Sequence, residues 1–462
     1  MTIRNKRNGI KSGFAFGVLW VLVFSSCREK PAYSSDLPPI FLITLDTTRR
    51  DFLSPYNPLV TSTPEIGKFA STAITFENAY ATAPWTLPSH ASMFSGYFPS
   101  RHGAGVTHTK LPNDLHLVTQ FLKSKGYRSA GYSGGPFTSS RYGFHRGFDE
   151  FSDHEKPFTR ASRQLKKARE FLAKSSVQPP FVFINLFDPH APYHPPSEFG
   201  RKFGLSKRQN QVEKLSRWKD SFGGYGLLVK KLVTMGVPEP EVVDYLHAAY
   251  SSEIAFVDEE LGAFFDWLEK NNLFDRALII VLADHGEYLG EEGRYFHSYS
   301  LDPLLTHIPL IVKWPGQKMG KRNSSLASQV DIFGTILKAA RCEIPANDGI
   351  PLDELVPDLD RWVLMEEHRI EPIHPLVHEE FLLAESIYGI QTSLVRGIVW
   401  EGKNQCEKLI HSEWQVIDCG HDWQEDLAFI QKQIQTVPKK EQDSKELDEE
   451  EKELLRSLGY IQ

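Results

Sequence analysis

Three runs of mainly apolar residues each end in an aspartate, and this repeated arrangement constrains the fold more than any other feature of the chain. The runs are IFLITL before Asp46, FVFINLF before Asp188 and ALIIVLA before Asp284. Runs of this kind are typical of strands buried on both faces, as in a parallel sheet covered by helices. Because ligands bind at the carboxyl ends of such strands, the three aspartates are expected to collect at one edge of the sheet.

Segments with the apolar spacing of helices alternate with these strands, which predicts an α/β protein with a largely parallel sheet. The predicted helices are TPEIGKFAST with Thr63 as N-cap, DLHLVTQFLKSKG, TRASRQLKKAREFLAK, residues 239–272 and SQVDIFGTILKAA. YRSAGYSG and PLIVKWPG are predicted as further strands. Near the C-terminus, LVRGIVWEGKNQCEKLIHSEWQVID alternates and predicts a small antiparallel sheet, and EEKELLRSLGYIQ predicts a terminal helix.

The length of 462 residues is sufficient for one large α/β domain and a smaller one. We predict a catalytic domain over residues 38–345 and a C-terminal subdomain over residues 346–462. Within the first of these, residues 200–237 are basic and irregular, which indicates an insertion or a surface lid.

The first 27 residues resemble an export signal, with a basic start, the apolar run FAFGVLWVLVF and then Ser25, Ser26 and Cys27. The run is shorter than the roughly 20 apolar residues that span a bilayer. A cysteine after small residues resembles a bacterial lipoprotein signal, although Phe24 departs from that pattern. An ordinary signal peptide is the alternative. Residues 28–37 read as a tether, so we expect an exported protein of the bacterial cell envelope or periplasm, held on the membrane by an N-terminal lipid anchor.

Charge and cysteine content narrow the possible partners. The formal net charge of −7, without a basic stripe, argues against a nucleic-acid partner. No cysteine spacing is typical of a zinc site. In an oxidising compartment Cys406 and Cys419 could pair and leave Cys342 alone, but three unpaired thiols fit equally well. The oligomeric state is left open by the sequence.

Asp284 and His285 offer an oxygen and an imidazole nitrogen from adjacent residues, and Gly286 lets the backbone turn away. Together with Asp46 they predict a site for one divalent metal ion. Ca²⁺ prefers oxygen ligands throughout, so the imidazole of His285 favours Mn²⁺ or Zn²⁺ among these three ions.

Seven motifs, in this order and spacing, carry a resemblance to the sulfatase branch of the alkaline-phosphatase superfamily over most of the mature sequence. They are LDTTRRD, APWTLPSHASMFSGYFPSRHG, RYGFHRGFDEF, DPHAPYHPP, LADHGEYLGEEG, HIPLIVKWPG and SQVDIFGTIL. The resemblance implies a three-layer α/β sandwich like that of alkaline phosphatase, with a mostly parallel central sheet, besides the small C-terminal antiparallel subdomain. It also implies a divalent metal at the strand ends and the hydrolysis of sulfate or phosphate esters.

Thr86 lies where sulfatases have a Cys or Ser that is oxidised to formylglycine. Threonine has one hydroxyl and a methyl group, so it can neither mature in this way nor release its product by elimination. The resemblance therefore implies that Thr86 binds the metal and attacks the ester as a nucleophile, which favours phosphate over sulfate. The alternative is that Thr86 only caps a helix and that the protein is inactive or uses another group.

The resemblance also gives roles to four histidines. His190 and His297 would donate to ester oxygens or protonate the leaving group. His90, where the family has an arginine, and His194 would contact substrate. His297 stands in place of a lysine, Thr47 replaces the second acid of an Asp-Asp pair, and SAGYSGGPFTSS replaces a lysine-containing segment that grips sulfate.

Four further polar residues in these motifs are interpreted as supporting rather than reacting groups. Arg49 and Asp51 are expected to brace their loop through an ion pair. Glu287 is expected to contact a metal ligand from behind, and Asp331 to cap its helix.

Together these features predict an exported metal-dependent hydrolase that cleaves phosphate or sulfate esters through a threonine nucleophile. Its substrate would be a small molecule, a glycan or a lipid that carries the ester. One alternative is a phosphotransferase that passes the threonine-bound group to an envelope lipid or glycan. Another is a catalytically inactive module that binds anionic glycans.

Overall fold

The structure is a computed structural model that describes residues 36–105, 110–154, 158–205, 239–291, 294–298, 300–357, 361–367, 395–400, 403–410 and 413–417. For residues 239, 362, 395–400, 403–410 and 413–417 only the backbone is described. The predicted signal peptide, most of the tether, nearly all of the predicted lid, Cys419 and the predicted terminal helix lie outside these residues.

Fourteen strands occur in the described residues. In chain order they are β1 (Ile40–Leu45), β2 (Ile74–Tyr80), β3 (Arg128–Tyr132), β4 (Glu150–Ser152), β5 (Pro180–Leu186), β6 (Leu278–Ala283), β7 (Tyr288–Leu289), β8 (Tyr295–Phe296), β9 (His307–Lys313), β10 (Lys321–Ser328), β11 (Trp362–Glu367), β12 (Val395–Trp400), β13 (Lys403–Ile410) and β14 (Glu413–Ile417).

Nine α-helices are described between these strands. They are α1 (Pro64–Ala70), α2 (Thr86–Ser95), α3 (Pro99–His102), α4 (Val118–Ser124), α5 (Ala161–Ala173), α6 (Ser197–Lys202), α7 (Glu239–Lys270), α8 (Pro303–Thr306) and α9 (Asp331–Ala339). Within the described residues, no helix is both long and apolar enough to cross a membrane.

Eight strands form the central sheet, in the order β10-β2-β9-β6-β1-β5-β3-β4. Only β9 runs against its neighbours, and every other pairing is parallel. The register places Leu45 beside both Leu186 and Ala283. The residues that follow β1, β5 and β6 therefore emerge side by side at one edge, as the aspartate-ended runs predict.

Alternate residues of the central strand β1 face two different helix layers. Phe41, Ile43 and Leu45 belong to the core packed against α1, α5 and α7. Ile40 and Leu42 belong to the core packed against α2, α4 and α9. The three-layer α/β sandwich expected from the sequence is thereby confirmed.

Thr63 is the N-cap residue of α1 as predicted, whereas the cap predicted at Asp331 is wrong. Thr63 occupies the N-cap position of α1, but its Oγ1 accepts a hydrogen bond from Ser54 N, and Asp258 on α7 accepts from the first helical N–H groups instead. Asp331 is the first residue of α9 rather than its cap, and its carboxylate pairs with both terminal nitrogens of Arg361 at 3.0 Å. In both cases a residue distant in sequence has replaced a local interaction.

A second sheet has the order β11-β12-β13-β14 and is antiparallel throughout, which confirms the predicted C-terminal sheet. Its first strand contacts the main domain, because Glu366 N donates to Thr82 O at 2.8 Å. The exact domain boundaries stay a prediction. Cys342 is half-buried and is a free thiol, while the side chain of Cys406 lies outside the described set.

Candidate active site

Asp46, Asp284 and His285 lie together at the carboxyl edge of the central sheet, directly after β1 and β6. One ligand atom from each lies within 4.8 Å of the others, and all three side chains are fully buried. The sequence therefore identified a cluster that the fold assembles from segments more than 230 residues apart in the chain, as the contact between Thr47 and Asp284 illustrates.

Each of the two carboxylates has one oxygen held by the protein and one oxygen without a hydrogen-bond partner. Asp46 Oδ2 accepts from Asn185 Nδ2 at 3.1 Å, and Asp284 Oδ1 accepts from Thr47 N at 3.0 Å and His285 N at 2.9 Å. Asp46 Oδ1 and Asp284 Oδ2 accept no hydrogen bond. Unpaired buried charge is costly, so these oxygens fit a cation better than a purely structural role.

The electrostatics of this pair lead to the same conclusion. Burial and the neighbouring Asp284 raise the pKa of Asp46 well above its ordinary value. Burial also opposes ionisation of Asp284, but His285 and His90 together hold the pKa of Asp284 below its ordinary value. A bound cation would let both carboxylates stay charged.

His285 presents a lone pair to the same site. Its Nδ1 lies 2.9 Å from Gly286 O, which can only accept, so Nδ1 carries a proton and the lone pair of the neutral imidazole is on Nε2. Nε2 lies 3.4 Å from Asp284 Oδ2. Gly286 is required here, because an added Cβ would lie 2.0 Å from Leu304 O. Two carboxylate oxygens and one imidazole nitrogen form a donor set that fits a divalent cation.

Thr86 is the first residue of α2, and its hydroxyl reaches this cluster. Thr86 Oγ1 lies 3.3 Å from His285 Nε2, and the residue is 3% exposed. Trp85, not Thr86, occupies the N-cap position of α2. The alternative in which Thr86 serves only as a helix cap is therefore wrong.

His90 lies behind Thr86 and is fully buried. Its Nδ1 donates to Thr86 O at 2.9 Å, and its Nε2 accepts from Thr44 Oγ1 at 3.1 Å. Both ring nitrogens are therefore engaged inside the protein. These bonds indicate a role in holding the start of α2, and the substrate contact of His90 stays a prediction.

His190 and His297 lie beside His285. The ring centroid of His297 lies 4.5 Å from that of His285 and 5.0 Å from that of His190. Burial lowers the pKa of His190 to about 3 and, together with His285, the pKa of His297 well below its ordinary value. Both imidazoles are therefore neutral near pH 7 in the protein without substrate.

Glu287 is the buried acid behind this histidine pair. Its Oε1 lies 3.1 Å from His297 Nδ1, and its Oε2 accepts a short hydrogen bond from Tyr193. Burial raises the pKa of Glu287 to about 7. The carboxyl therefore orients His297, which is not one of the predicted metal ligands.

The loop after Asp46 is braced as predicted. Arg49 forms a two-pronged pair with Asp51, with nitrogen–oxygen distances of 3.0 and 2.7 Å, and also contacts Glu291. Thr47 has a positive φ of 51°, which aims its N–H at Asp284, while its hydroxyl donates to Pro189 O at 3.0 Å. Thr47 thus joins the ends of three strands without adding a charge.

A second pair of buried carboxylates, Asp188 and Glu253, lies at the same edge, and of these two only Asp188 was predicted there. Arg160 Nη1 lies 3.2 Å from Asp188 Oδ1 and 3.0 Å from Glu253 Oε2. Burial raises the pKa of Asp188 to about 6 and that of Glu253 to about 8. His194 N donates to Glu253 Oε1 at 2.6 Å, and Arg160 donates to His194 O. These contacts place the His194 backbone; a substrate contact by its side chain stays a prediction.

Two amides of the site were also missed. Asn185 interrupts the apolar run of β5, and its Nδ2 bonds both Asp46 Oδ2 and Thr138 Oγ1 at 3.1 Å. A polar residue inside a buried strand was the available signal. Gln329, in the turn between β10 and α9, carried no comparable signal.

Comparison with known proteins gives one family. A protein-family model described as Sulfatase matches residues 38–342. Arylsulfatase K of Homo sapiens is 24% identical over 409 residues, which cover 78% of this chain and 74% of that protein. A low-salt glycan biosynthesis sulfotransferase of Haloferax volcanii is 25% identical over 423 residues, which cover 82% of this chain and 89% of that protein.

Solved structures share the fold. A protein in complex with its substrate D-glucosamine-2-N,6-O-disulfate is 18% identical with a TM-score of 0.65, over 91% of this chain and 98% of its own. A phosphonate monoester hydrolase from Silicibacter pomeroyi is 19% identical with a TM-score of 0.63, over 87% of this chain and 94% of its own.

Proposed function

The chain belongs to the sulfatase family, and on that basis we propose that it is an exported metal-dependent hydrolase that cleaves phosphate or sulfate esters through Thr86. The observation that carries the proposal is the 3.3 Å separation of Thr86 Oγ1 and His285 Nε2. This contact joins a buried hydroxyl to the cluster of Asp46, Asp284 and His285.

The chemistry assigned to each residue follows from this contact. A divalent cation held by Asp46, Asp284 and His285 would stabilise negative charge on nearby oxygens, which favours an ionised hydroxyl near neutral pH. Thr86 begins a ten-residue helix, and the positive end of the helix dipole also stabilises an anion there. Thr86 attacks phosphorus or sulfur, and the bond to the leaving oxygen breaks.

His190 and His297 handle protons in this proposal. Glu287 lies 3.1 Å from His297 Nδ1, and its ionised carboxylate favours a proton on that nitrogen. Uptake of a second proton, at Nε2, would make His297 a donor to the ester or to the leaving oxygen. Stacking of His190 on Phe187, with centroids 4.3 Å apart, fixes the orientation of its ring for the same task.

Phosphate esters are favoured because a threonine-linked ester must be opened by attack at phosphorus or sulfur rather than by elimination. The likeness to a phosphonate monoester hydrolase is consistent with phosphorus chemistry on this fold. Likeness to arylsulfatase K and to a protein solved with a sulfated glucosamine keeps sulfated glycans among the candidate substrates.

A transferase is the second candidate function. The relative from Haloferax volcanii, which matches over 82% of this chain, is named a sulfotransferase. In this candidate a lipid or glycan hydroxyl, rather than water, accepts the group from Thr86. Addition of glycerol or a monosaccharide to a reaction at steady state distinguishes the two, since a transferase turns over only with the acceptor present, whereas a hydrolase releases free phosphate or sulfate without it.

The test of the nucleophile compares Thr86→Ala with Thr86→Ser on phosphomonoesters, phosphodiesters and aryl sulfates, each with Ca²⁺, Mn²⁺ or Zn²⁺. We expect the alanine variant to fold and to lose activity, and the serine variant to keep a measurable part of it. An alanine variant as active as the wild type would refute the proposal. A wild-type protein that binds no metal and cleaves nothing would favour the inactive glycan-binding module.

Export by a lipid-anchor signal is tested separately. Cells that express the chain are labelled with a palmitate analogue, and Cys27→Ala serves as the matched control. Label on the wild type alone supports the anchor, whereas an unlabelled wild type contradicts it.

A further inference from the structure

One buried amide joins the two halves of the candidate active site. Gln329 is 1% exposed. Its Nε2 donates to Asp284 O at 2.6 Å and to Ala283 O at 3.3 Å. Its Oε1 accepts from Thr82 N at 2.9 Å and from Thr82 Oγ1 at 3.1 Å. Both donors and both acceptor positions of the amide are therefore in use.

The partners also fix which way the amide points. A backbone N–H can only donate and a backbone carbonyl can only accept. Thr82 N must therefore face the amide oxygen, and the carbonyls of Ala283 and Asp284 must face the amide nitrogen. The opposite orientation would break all of these bonds at once.

The sheet topology explains why a long side chain is needed at this position. β10, β2 and β6 run in the same direction, so their carboxyl ends share one edge. In the sheet order, β10 is next to β2, while β6 lies two places further along. Gln329 follows β10, so its side chain passes the end of β2 to reach the end of β6.

Thr82, which is bonded to Gln329, also contacts α2, the helix that carries Thr86. Thr82 Oγ1 lies 2.9 Å from Ser92 Oγ, in the second turn of α2. The hydroxyl proton of Thr82 is thus shared between two acceptors, Ser92 Oγ and Gln329 Oε1. On the other side of Gln329, Asp284 and His285 are the metal-ligand candidates that follow β6.

We infer that Gln329 is a positioning residue that sets the separation between Thr86 and the Asp284–His285 ligand pair. The inference rests on the proposed function, in which Thr86 is the nucleophile. Gln329 itself touches neither the ligand atoms nor the Thr86 hydroxyl. Its effect is therefore on the alignment of attack, where an error of about 1 Å can cost about 100-fold in rate.

The experiment compares Gln329→Met, which keeps the length of the side chain but no hydrogen bond, with Gln329→Glu, which keeps the acceptor for Thr82. For Gln329→Met we expect kcat to fall about 100-fold and KM to change less than about threefold, because alignment rather than binding is lost. Gln329→Glu should lie between this variant and the wild type at a pH where the new carboxyl is protonated, because it then donates to one of the two carbonyls. The dissociation constant of the divalent cation should change little, because β1 and β6 pair with each other directly.

Ser328→Ala is the matched control. Ser328 is the neighbouring residue and is also buried, but its hydroxyl has no hydrogen-bond partner. We expect wild-type kcat, KM and metal affinity from this variant.

Three results would overturn the positioning role: a Gln329→Met variant with wild-type kcat, a loss of kcat no greater than the loss of folded protein seen in thermal unfolding, or equal losses in the Met and Glu variants. Failure of the proposed function has a different signature, since Thr86→Ala would then stay active whatever the Gln329 variants do.

Discussion

Two pairs of buried carboxylates lie at the same edge of the central sheet, and they differ in whether a cationic side chain neutralises them. Asp188 and Glu253, the arginine-paired carboxylates, share Arg160. Asp46 and Asp284, the metal-site carboxylates, have no arginine or lysine within ion-pair distance among the described residues, and each keeps one oxygen without a hydrogen bond. The first pair is neutralised by an arginine of the polypeptide, whereas the second has the free oxygens that fit a cation from outside.

The difference separates structural support from reactivity at one sheet edge. The arginine-paired carboxylates hold the backbone of His194, and Asp188 also accepts from Ala161 N at 2.8 Å at the start of α5. The metal-site carboxylates each hold neighbouring groups through one oxygen only, and burial together with their proximity raises the pKa of Asp46. Substitutions in the two pairs should therefore affect different measurements.

The largest expected effect comes from Asp284→Asn. It should reduce metal affinity and lower the rate about 1,000-fold or more, because the cation supplies several kcal/mol to the reaction. Isothermal titration with Mn²⁺ or Zn²⁺ and kinetics on the best ester substrate measure both. Asp188→Asn is the control and should still bind the metal. Wild-type metal affinity in Asp284→Asn would contradict the assignment of metal binding to one pair and of structural support to the other.

Arg160→Met should affect stability instead. It leaves two buried carboxylates without their cation, and since Arg160 is 31% exposed we expect a loss of about 2 kcal/mol in the free energy of unfolding. Urea denaturation measures this loss. Glu253→Gln in the same chain should restore part of it. Metal binding that falls as far as stability would show that the two pairs are not separate.

The arginine-paired carboxylates should also make stability depend on pH. Burial and the nearby Asp188 raise the pKa of Glu253 to about 8 in the folded protein, although Arg160 partly offsets this rise. The pKa of Glu253 is higher in the folded protein than in the unfolded chain. Its contribution to the free energy of unfolding is therefore complete at low pH and is lost as pH rises towards 8. Glu253→Gln should flatten the fall of melting temperature between pH 6 and pH 8. An unchanged slope would contradict the assignment.

The smallest effect is expected from Asp51→Asn, at the exposed rim of the same edge. Asp51 is 46% exposed, and Arg49 keeps its contacts with Glu291 and with Glu287 O after the change. The free energy of unfolding should fall by less than about 1 kcal/mol, with no change in rate. Thermal unfolding at low and high salt measures it. If Asp51→Asn lowered the free energy of unfolding as much as Arg160→Met does, burial would not explain the different contributions of these carboxylates to stability.

The sequence predicted site residues best where the position of a residue depends only on the strand that it follows. Asp46 and Asp284 could be predicted because each ends an apolar run, and the register of β1 with β6 brings such ends together. Strands β2 and β10 were not predicted. Their segments ITFENAY and KRNSSLAS carry polar residues, and β10 lies at the edge of the sheet, where no apolar run is needed.

The supporting residues of the site were harder to predict for a physical reason. Arg160, Glu253 and Gln329 each bond groups from other segments of the chain. These hydrogen-bond partners are set by the spatial arrangement of strands and helices. A local sequence pattern does not predict that arrangement. His90 shows the same limit, because its motif position gave no indication of the bonds that its ring makes in the core.

The contact between the small C-terminal sheet and Thr82 has a practical consequence for protein engineering. The region that matches the sulfatase family ends at residue 342. A gene truncated there would keep the central sheet and every proposed ligand, yet it would remove Glu366, whose N–H bonds Thr82 O and whose carboxylate accepts from Ser100 N at 2.8 Å. A shortened product designed from family boundaries alone would therefore lose a support of the nucleophile's own loop.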